Sequence, residues 1–209
     1  MYKKYIKRIL DALLAFVVLT VLAPVFFVMT VLGAIVMRGN PFYTQKRPGK
    51  DGKCFRLIKF RSMSNKRDEN GQLLPDAERV TVYGRLIRAA SVDELPEFLN
   101  ILKGDMAFIG PRPLLEEYLP YYTKEEMRRH EVLPGLTGLA QVSGRNGLSW
   151  DERFRLDVQY VDTLSFGLDV KIVFMTVKAV LCRSGVQVDT AKEEGNFARI
   201  RAAQLQEKR

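Results

Sequence analysis

Residues 12–37 read ALLAFVVLTVLAPVFFVMTVLGAIVM, and none of the 26 is charged. As one straight helix this run would be about 39 Å long at 1.5 Å per residue, more than the roughly 20 residues a bilayer span needs. It is too long for the apolar core of a secretory leader, and no small-x-small site with a polar start follows it. Pro24 lies near its middle, where it removes a backbone hydrogen bond and bends the helix. Both flanks are basic: Lys3, Lys4, Lys7 and Arg8 before, Arg38, Lys46, Arg47 and Lys50 after. The positive-inside bias would hold both ends on the cytoplasmic side. A re-entrant helix–break–helix satisfies the proline and the flanks, with arms of about 12 residues that reach only part-way through a 30 Å core. A single-pass helix with a proline kink remains open on the residues alone.

Outward from this run, the chain of 209 residues is long enough for one domain with a sizeable core. Its net charge of +9 suits anionic lipid, phosphorylated substrates or nucleic acid. The aromatics are spread along the chain and no RNA-binding signature occurs, so no nucleic acid partner is expected. Cys54 and Cys182 stand far apart with no CxxC, which argues against a disulfide framework or zinc site. The single histidine, His130, excludes a histidine-rich metal site and reads as a structural hydrogen-bonder.

Residues 42–60 hold short β-prone pieces around Pro48-Gly49 and Asp51-Gly52, a hairpin signal. The second piece is strongly basic and carries Lys59, which on the residues alone reads as a solvated edge-strand lysine. Residues 65–78 are a polar loop, and 83–90 a short helix with Arg85 and Arg88 on one face. Residues 114–131 read as helix broken at Pro120, and 150–164 as an amphipathic helix. Residues 168–183 are apolar with Lys171, Lys178 and Arg183 interspersed, which fits an interfacial helix or core packing. Residues 189–209 are polar and end basic, a partly mobile tail or a helix on anionic headgroups. No internal repeat is visible.

The chemistry concentrates in residues 88–113, RAASVDELPEFLNILKGDMAFIGPRP. Asp93 and Glu94 lie between Arg88 and Arg112, a combination suited to a phosphate substrate, a divalent metal and a carboxylate nucleophile. The same letters spell an ordinary helix start: Ser91-x-x-Glu94 is a capping-box pattern and Asp93 a good N-cap. A helix begun at Asp93 would run to Lys103 and stop at Gly104. Its N-terminus would help keep Asp93 ionised. Pro111 and Pro113 stiffen the backbone around Arg112, as a ligand-facing arginine or merely a rigid turn requires.

Taken in order, the apolar start, KFRSM (59–63), Asp93–Glu94 with Pro111-Arg112-Pro113, and PGLTGLAQVSGRN (134–146) resemble the bacterial monotopic phosphoglycosyl transferases. These are also called polyprenyl-phosphate sugar-1-phosphate transferases, or the bacterial sugar transferase family, and the chain resembles the small single-domain class. The resemblance implies an α+β, mostly helical fold. It would comprise a re-entrant membrane hairpin (1–40), a cytoplasmic catalytic domain with a short β-hairpin and amphipathic interfacial helices (41–188), and a basic tail (189–209). At the break this chain has Ala23-Pro24 where the family often has Ser-Pro.

The resemblance further implies transfer of a sugar-1-phosphate from a UDP-sugar, of the N-acetylated amino sugar class, to undecaprenyl phosphate, with release of UMP. Asp93 would be the nucleophile and Glu94 the holder of Mg²⁺, with Asp93 the second carboxylate at the metal. Arg88 would hold the carrier phosphate, Lys59 and Arg145 would assist, and Arg112 would meet the nucleotide. The three glycines of 134–146 would bring backbone close to the active site. The partners are UDP-sugar, undecaprenyl phosphate and membrane lipids, at the cytoplasmic face of the bacterial inner membrane. The sugar and the oligomeric state stay open. A metal-dependent diphosphate hydrolase and a non-catalytic membrane scaffold of the same fold are the alternatives.

Overall fold

Pro24 divides the apolar run into two helices, α1 (Lys7–Val21) and α2 (Ala23–Met37), bent by 67°. The structure, a computed structural model, describes residues 1–144, 147–182 and 197–207. The hinge is Leu22, and Pro24 falls in the first turn of α2, where its missing N–H has no partner to lose. Among the described residues no single helix is long and apolar enough to cross a membrane, though the bent pair passes that test together. Leu13, Phe16, Val21, Phe27 and Ile35 stand exposed on the two arms.

The basic flank before the run is only half a flank. Lys3 and Lys4 are exposed, but Lys7 is buried and pairs with Asp169 at 2.8 Å. Arg8 donates to the carbonyls of Ile101 and Leu102, the C-terminal carbonyls of another helix that carry negative partial charge. Asp11 accepts the Phe108 N–H at 3.1 Å. These residues fasten α1 to the body of the protein, and two of the four positive charges read as topological signals are consumed there.

Strands β1 (Phe42–Pro48) and β2 (Cys54–Phe60) form the expected antiparallel hairpin, turning through Lys50–Gly52. Phe26 of α2 packs on Phe42 and Phe60, so the second arm rides on the hairpin. Two short helices follow, α3 (Asp76–Arg79) and α4 (Val82–Ala89), then α5 (Glu97–Lys103), ended by Gly104 in the left-handed region at φ 94°. Leu57, Phe98, Ile101 and Met106 make a core with Ala15 of α1. Asn100 of α5 is fully buried and laces that helix to β2: its Nδ2 donates to the Arg56 carbonyl and its Oδ1 accepts the Ile58 N–H.

A second strand pair was not anticipated. β3 (Ala107–Ile109) runs parallel to β4 (Gly135–Thr137). It shows what the glycines of the 134–146 segment approach. A Cβ on Gly135 would lie 2.1 Å from the Gly110 nitrogen, and one on Gly138 2.2 Å from the Gly110 carbonyl oxygen. These two glycines are required by backbone meeting backbone.

Residues 114–131 are not one broken helix but short turns: a 3₁₀ stretch Glu116–Tyr121 containing Pro120, α6 (Lys124–Met127) and a further 3₁₀ turn Arg128–Glu131. After α7 (Leu139–Ser143), α8 (Trp150–Thr163) matches the amphipathic expectation. In α9 (Phe166–Leu181), Asp169 and Ile172 face inward while Val170, Val173, Phe174 and Val177 are exposed beside Lys171 and Lys178. One face therefore packs into the core, and the opposite face leaves apolar side chains exposed beside two lysines. Of the tail expected at 189–209, residues 189–196 and 208–209 lie outside the described residues, and the rest forms α10 (Phe197–Glu207), whose first residue, Phe197, is completely buried. The architecture is α+β and mostly helical, with two small two-stranded sheets among the described residues.

Candidate active site

Asp93 and Glu94 lie in a 3₁₀ turn, Val92–Glu94, between α4 and α5. The helix predicted to begin at Asp93 begins instead at Glu97, and the Ser91 capping box does not form. Ser91 adopts a left-handed conformation, φ 54°, and turns the chain so that its side chain caps nothing. Glu94, which would have closed the box, points to cations. Its Oε1 accepts from Lys59 Nζ at 2.7 Å and from Arg112 at 3.3 Å.

Lys59 is not a solvated edge lysine. It sits near the end of β2 between Glu94 and Glu97, 3.1 Å from the latter. Glu97, 3 % exposed, was missed by sequence reasoning. Asn100 fixes α5 on β2 one residue from Lys59, which keeps Glu97 of α5 beside that lysine.

Arg88 is positioned by a second contact that the sequence did not announce. Its Nε donates to Ser62 Oγ at 2.8 Å. Helix α4 comes this close because residue 84 is glycine; a Cβ there would stand 1.9 Å from the Ser62 carbonyl oxygen. Arg112 is held through its backbone. Buried Arg129 donates to the Arg112 carbonyl at 2.8 Å and to Asp157 at 2.7 and 3.0 Å. Arg47 donates to the Pro113 carbonyl at 3.3 Å. Pro111 and Pro113 thus stiffen a turn whose carbonyls are clasped by two buried arginines. His130 is buried as well and bonds the Gly49 carbonyl through Nδ1 at 3.1 Å, the structural role expected. Arg145 lies outside the described residues.

The two adjacent carboxylates differ electrostatically. Burial, then the charge of Glu94, push the Asp93 carboxyl up to about 6, against the pull of Lys59, Arg88 and Arg112. Burial also works against ionised Glu94, but Lys59 and Arg112 outweigh it and hold its carboxyl well below the usual range. Glu97 is raised by burial, which Lys59 only partly offsets. The helix start expected to favour ionised Asp93 is therefore overridden by desolvation. At neutral pH Asp93 is ionised yet the more basic of the adjacent pair. That suits a nucleophile beside a permanently charged partner.

Among the described residues no group of three or more His, Cys, Asp or Glu side chains is arranged to hold a metal ion. Magnesium does not need such a cage, because it commonly takes one or two carboxylates and completes its shell with substrate phosphates and water. The hard oxygens of Asp93 and Glu94 fit that donor set, and both Lys59 and Arg112 reach the same Glu94 oxygen.

The family model for the bacterial sugar transferase matches residues 2–183. The chain belongs to the bacterial sugar transferase family. It is 51 % identical over 183 residues to the uncharacterized sugar transferase EpsL of Bacillus subtilis (strain 168), across 87 % of this chain and 90 % of the relative. Over 196 residues it is 39 % identical to the exopolysaccharide production protein ExoY of Rhizobium meliloti (strain 1021), covering 86 % and 87 %. Over 185 residues it is 37 % identical to the UDP-glucose:undecaprenyl-phosphate glucose-1-phosphate transferase of Caulobacter vibrioides (strain ATCC 19089 / CIP 103742 / CB 15), covering 84 % and 69 %. The transferase is an enzyme of the phosphoglycosyl transferase class. The scaffold alternative falls with that assignment.

Proposed function

We propose that this transferase moves a sugar-1-phosphate from a UDP-sugar to undecaprenyl phosphate and releases UMP. The observation that carries the proposal is the Asp93–Glu94 turn set among Lys59, Arg88 and Arg112, beside a bent apolar helix pair. In the first step an Asp93 oxygen attacks the β-phosphorus of the UDP-sugar. The bond from that phosphorus to the bridging oxygen breaks, and UMP leaves with the electron pair. In the second step a phosphate oxygen of undecaprenyl phosphate attacks the phosphorus of the acyl phosphate. The bond to Asp93 breaks, the carboxylate is restored, and the product is an undecaprenyl diphosphate sugar. Neither step needs a proton moved, so the residues serve by placing charge.

Arg112 would face the nucleotide and Arg88 the carrier phosphate. Lys59 holds Glu94 and Glu97 in place. Glu94, with Asp93, would bind Mg²⁺, which neutralises phosphate charge when present. The bent pair α1–α2 would enter one leaflet and return, with the exposed faces of α9 and of α4 (Val82, Leu86) at the interface and the site on the cytoplasmic side. The sugar is proposed to be an N-acetylated amino sugar.

UMP release over a panel that includes UDP-N-acetylated sugars, UDP-glucose and UDP-galactose, with and without undecaprenyl phosphate, tests this. The expected result is turnover only with the carrier, and one equivalent of UMP with a phosphosugar adduct on Asp93 without it. Sustained UMP release without the carrier would establish the hydrolase instead. Full turnover in EDTA would remove the metal.

A further inference from the structure

The family match ends at residue 183, yet α10 lies beyond it and is built into the protein. Phe197, at its start, is 0 % exposed. Its ring lies 5.0 to 5.7 Å from the rings of Tyr118, Tyr122, Trp150 and Phe154. One turn on, Arg201 pairs with Glu126 and Asp151. A helix anchored both by a buried aromatic and by a cation on two carboxylates is a fixed part of this wall.

What the wall supports is Arg112. The guanidinium of Arg129 lies over the rings of Tyr122 and Phe154, 5.9 and 5.6 Å from their centroids. The same guanidinium donates to the Arg112 carbonyl. Phe197 packs against both of those rings, at 5.7 and 5.1 Å between centroids. Contiguous contacts therefore run from Phe197 through two rings and Arg129 to the backbone of the residue that bonds Glu94. Removing the Phe197 ring would open a void beside the two rings that the buried Arg129 guanidinium lies over. The rings would relax into it, and the cation–π seat and the clasp on Arg112 would loosen together.

We propose that Phe197 is a positioning residue for Arg112, acting through Arg129, so that α10 tunes nucleotide binding from outside the family's matched region. The inference rests on the reading of Arg112 as the nucleotide-facing cation. Spatial continuity alone does not establish coupling, and a double-mutant cycle does. The full-length protein in lipid nanodiscs would be titrated with UDP by calorimetry, and KM measured for UDP-sugar and for undecaprenyl phosphate. Phe197→Ala should weaken UDP and raise the UDP-sugar KM by roughly 10-fold, leaving the carrier KM unchanged, with Phe197→Leu intermediate. In an Arg112→Lys background Phe197→Ala should add little.

Unchanged UDP affinity, equal effects on both substrates, or full additivity with Arg112→Lys would overturn the proposal. If Phe197→Ala does not fold, Phe197→Leu carries the same comparisons. A wild type that binds UDP but releases no UMP refutes the transfer reaction, while the calorimetric cycle still judges the positioning role.

Discussion

Replacing Gly84 by alanine tests whether the seating of α4 sets Arg88. The new Cβ would lie 1.9 Å from the Ser62 carbonyl oxygen and 2.7 Å from its carbon, both backbone atoms that cannot swing aside. Ordinary contact begins at 3.4 Å, so α4 must withdraw by about 1.5 Å. The Arg88 Nε–Ser62 Oγ hydrogen bond is now 2.8 Å, and the same retreat stretches it to roughly 4 Å, where no hydrogen bond remains. Alanine favours a helix over glycine by about 1 kcal/mol, whereas a hydrogen bond to a charged group contributes about 1.5–3 kcal/mol. With the steric cost added, Gly84→Ala should destabilise the protein by about 1–3 kcal/mol. On the proposed role of Arg88 at the carrier phosphate, turnover should suffer more, because displacing such a cation by over 1 Å costs on the order of 100-fold. Thermal unfolding and UMP release in the same nanodisc preparation measure both. A variant with an unchanged midpoint and full turnover would refute the argument that this helix contact positions Arg88.

Three further outcomes are expected. The nucleophile must be ionised, so kcat/KM should rise with pH through about 6 and then level, following the free Asp93 carboxyl; Asp93→Asn should lose roughly 10⁴-fold or more, and a flat profile from pH 5 to 8 would count against the assignment. Burial, then the Arg129 charge, hold His130 down at about 4, below its ordinary 6.5, so stability should be complete above about 6.5 and fall as pH drops toward 4, by up to about 3 kcal/mol; His130→Gln should flatten that slope in urea titrations, and an unchanged slope would show that His130 is not its source. Cysteines introduced at positions 3 and 206 should both label only from the cytoplasmic side, and Pro24→Leu should give a mixed population; periplasmic labelling at position 3 in the otherwise unaltered chain would make the run an ordinary span.

How much was legible follows from the range of each interaction. The Asp51-Gly52 hairpin, the stop at Gly104 and the periodic helix α8 are local, and the structure has all three. Lys59, Glu94 and Arg112 were named from motifs and come together through direct contacts. What stayed hidden depends on chain segments far apart. Lys7 finds Asp169 across 162 positions, and Arg129 finds Asp157 across 28. The β3–β4 pairing is parallel and spans a long crossover, which leaves no hairpin signal. Asn100 did leave a trace, an amide inside the apolar run Phe-Leu-Asn-Ile-Leu, where a buried polar side chain must find partners. Glu97 left none, since a glutamate in a helix's first turn needs no explanation until its burial against Lys59 is seen.

Three Ser/Thr-x-x-Glu patterns among the described residues show where chemistry overrides local preference. At Thr123–Glu126 and Ser149–Glu152 the pattern folds into a capping box, with hydroxyl and carboxylate each bonding the other's backbone. At Ser91–Glu94 the spelling is the same and the box is absent. Ser91 instead takes a left-handed conformation that costs a non-glycine residue on the order of 1 kcal/mol. A glutamate closing a box lies back along its own helix start, while one released from it can reach across to β2 and to the Pro111–Pro113 turn. Glu94 does the latter, and the cap is forgone. The local rule fails at the one position of the three where a carboxylate is needed between two cations. Such a failure marks a candidate site, since local rules are broken most often where function or strain requires it.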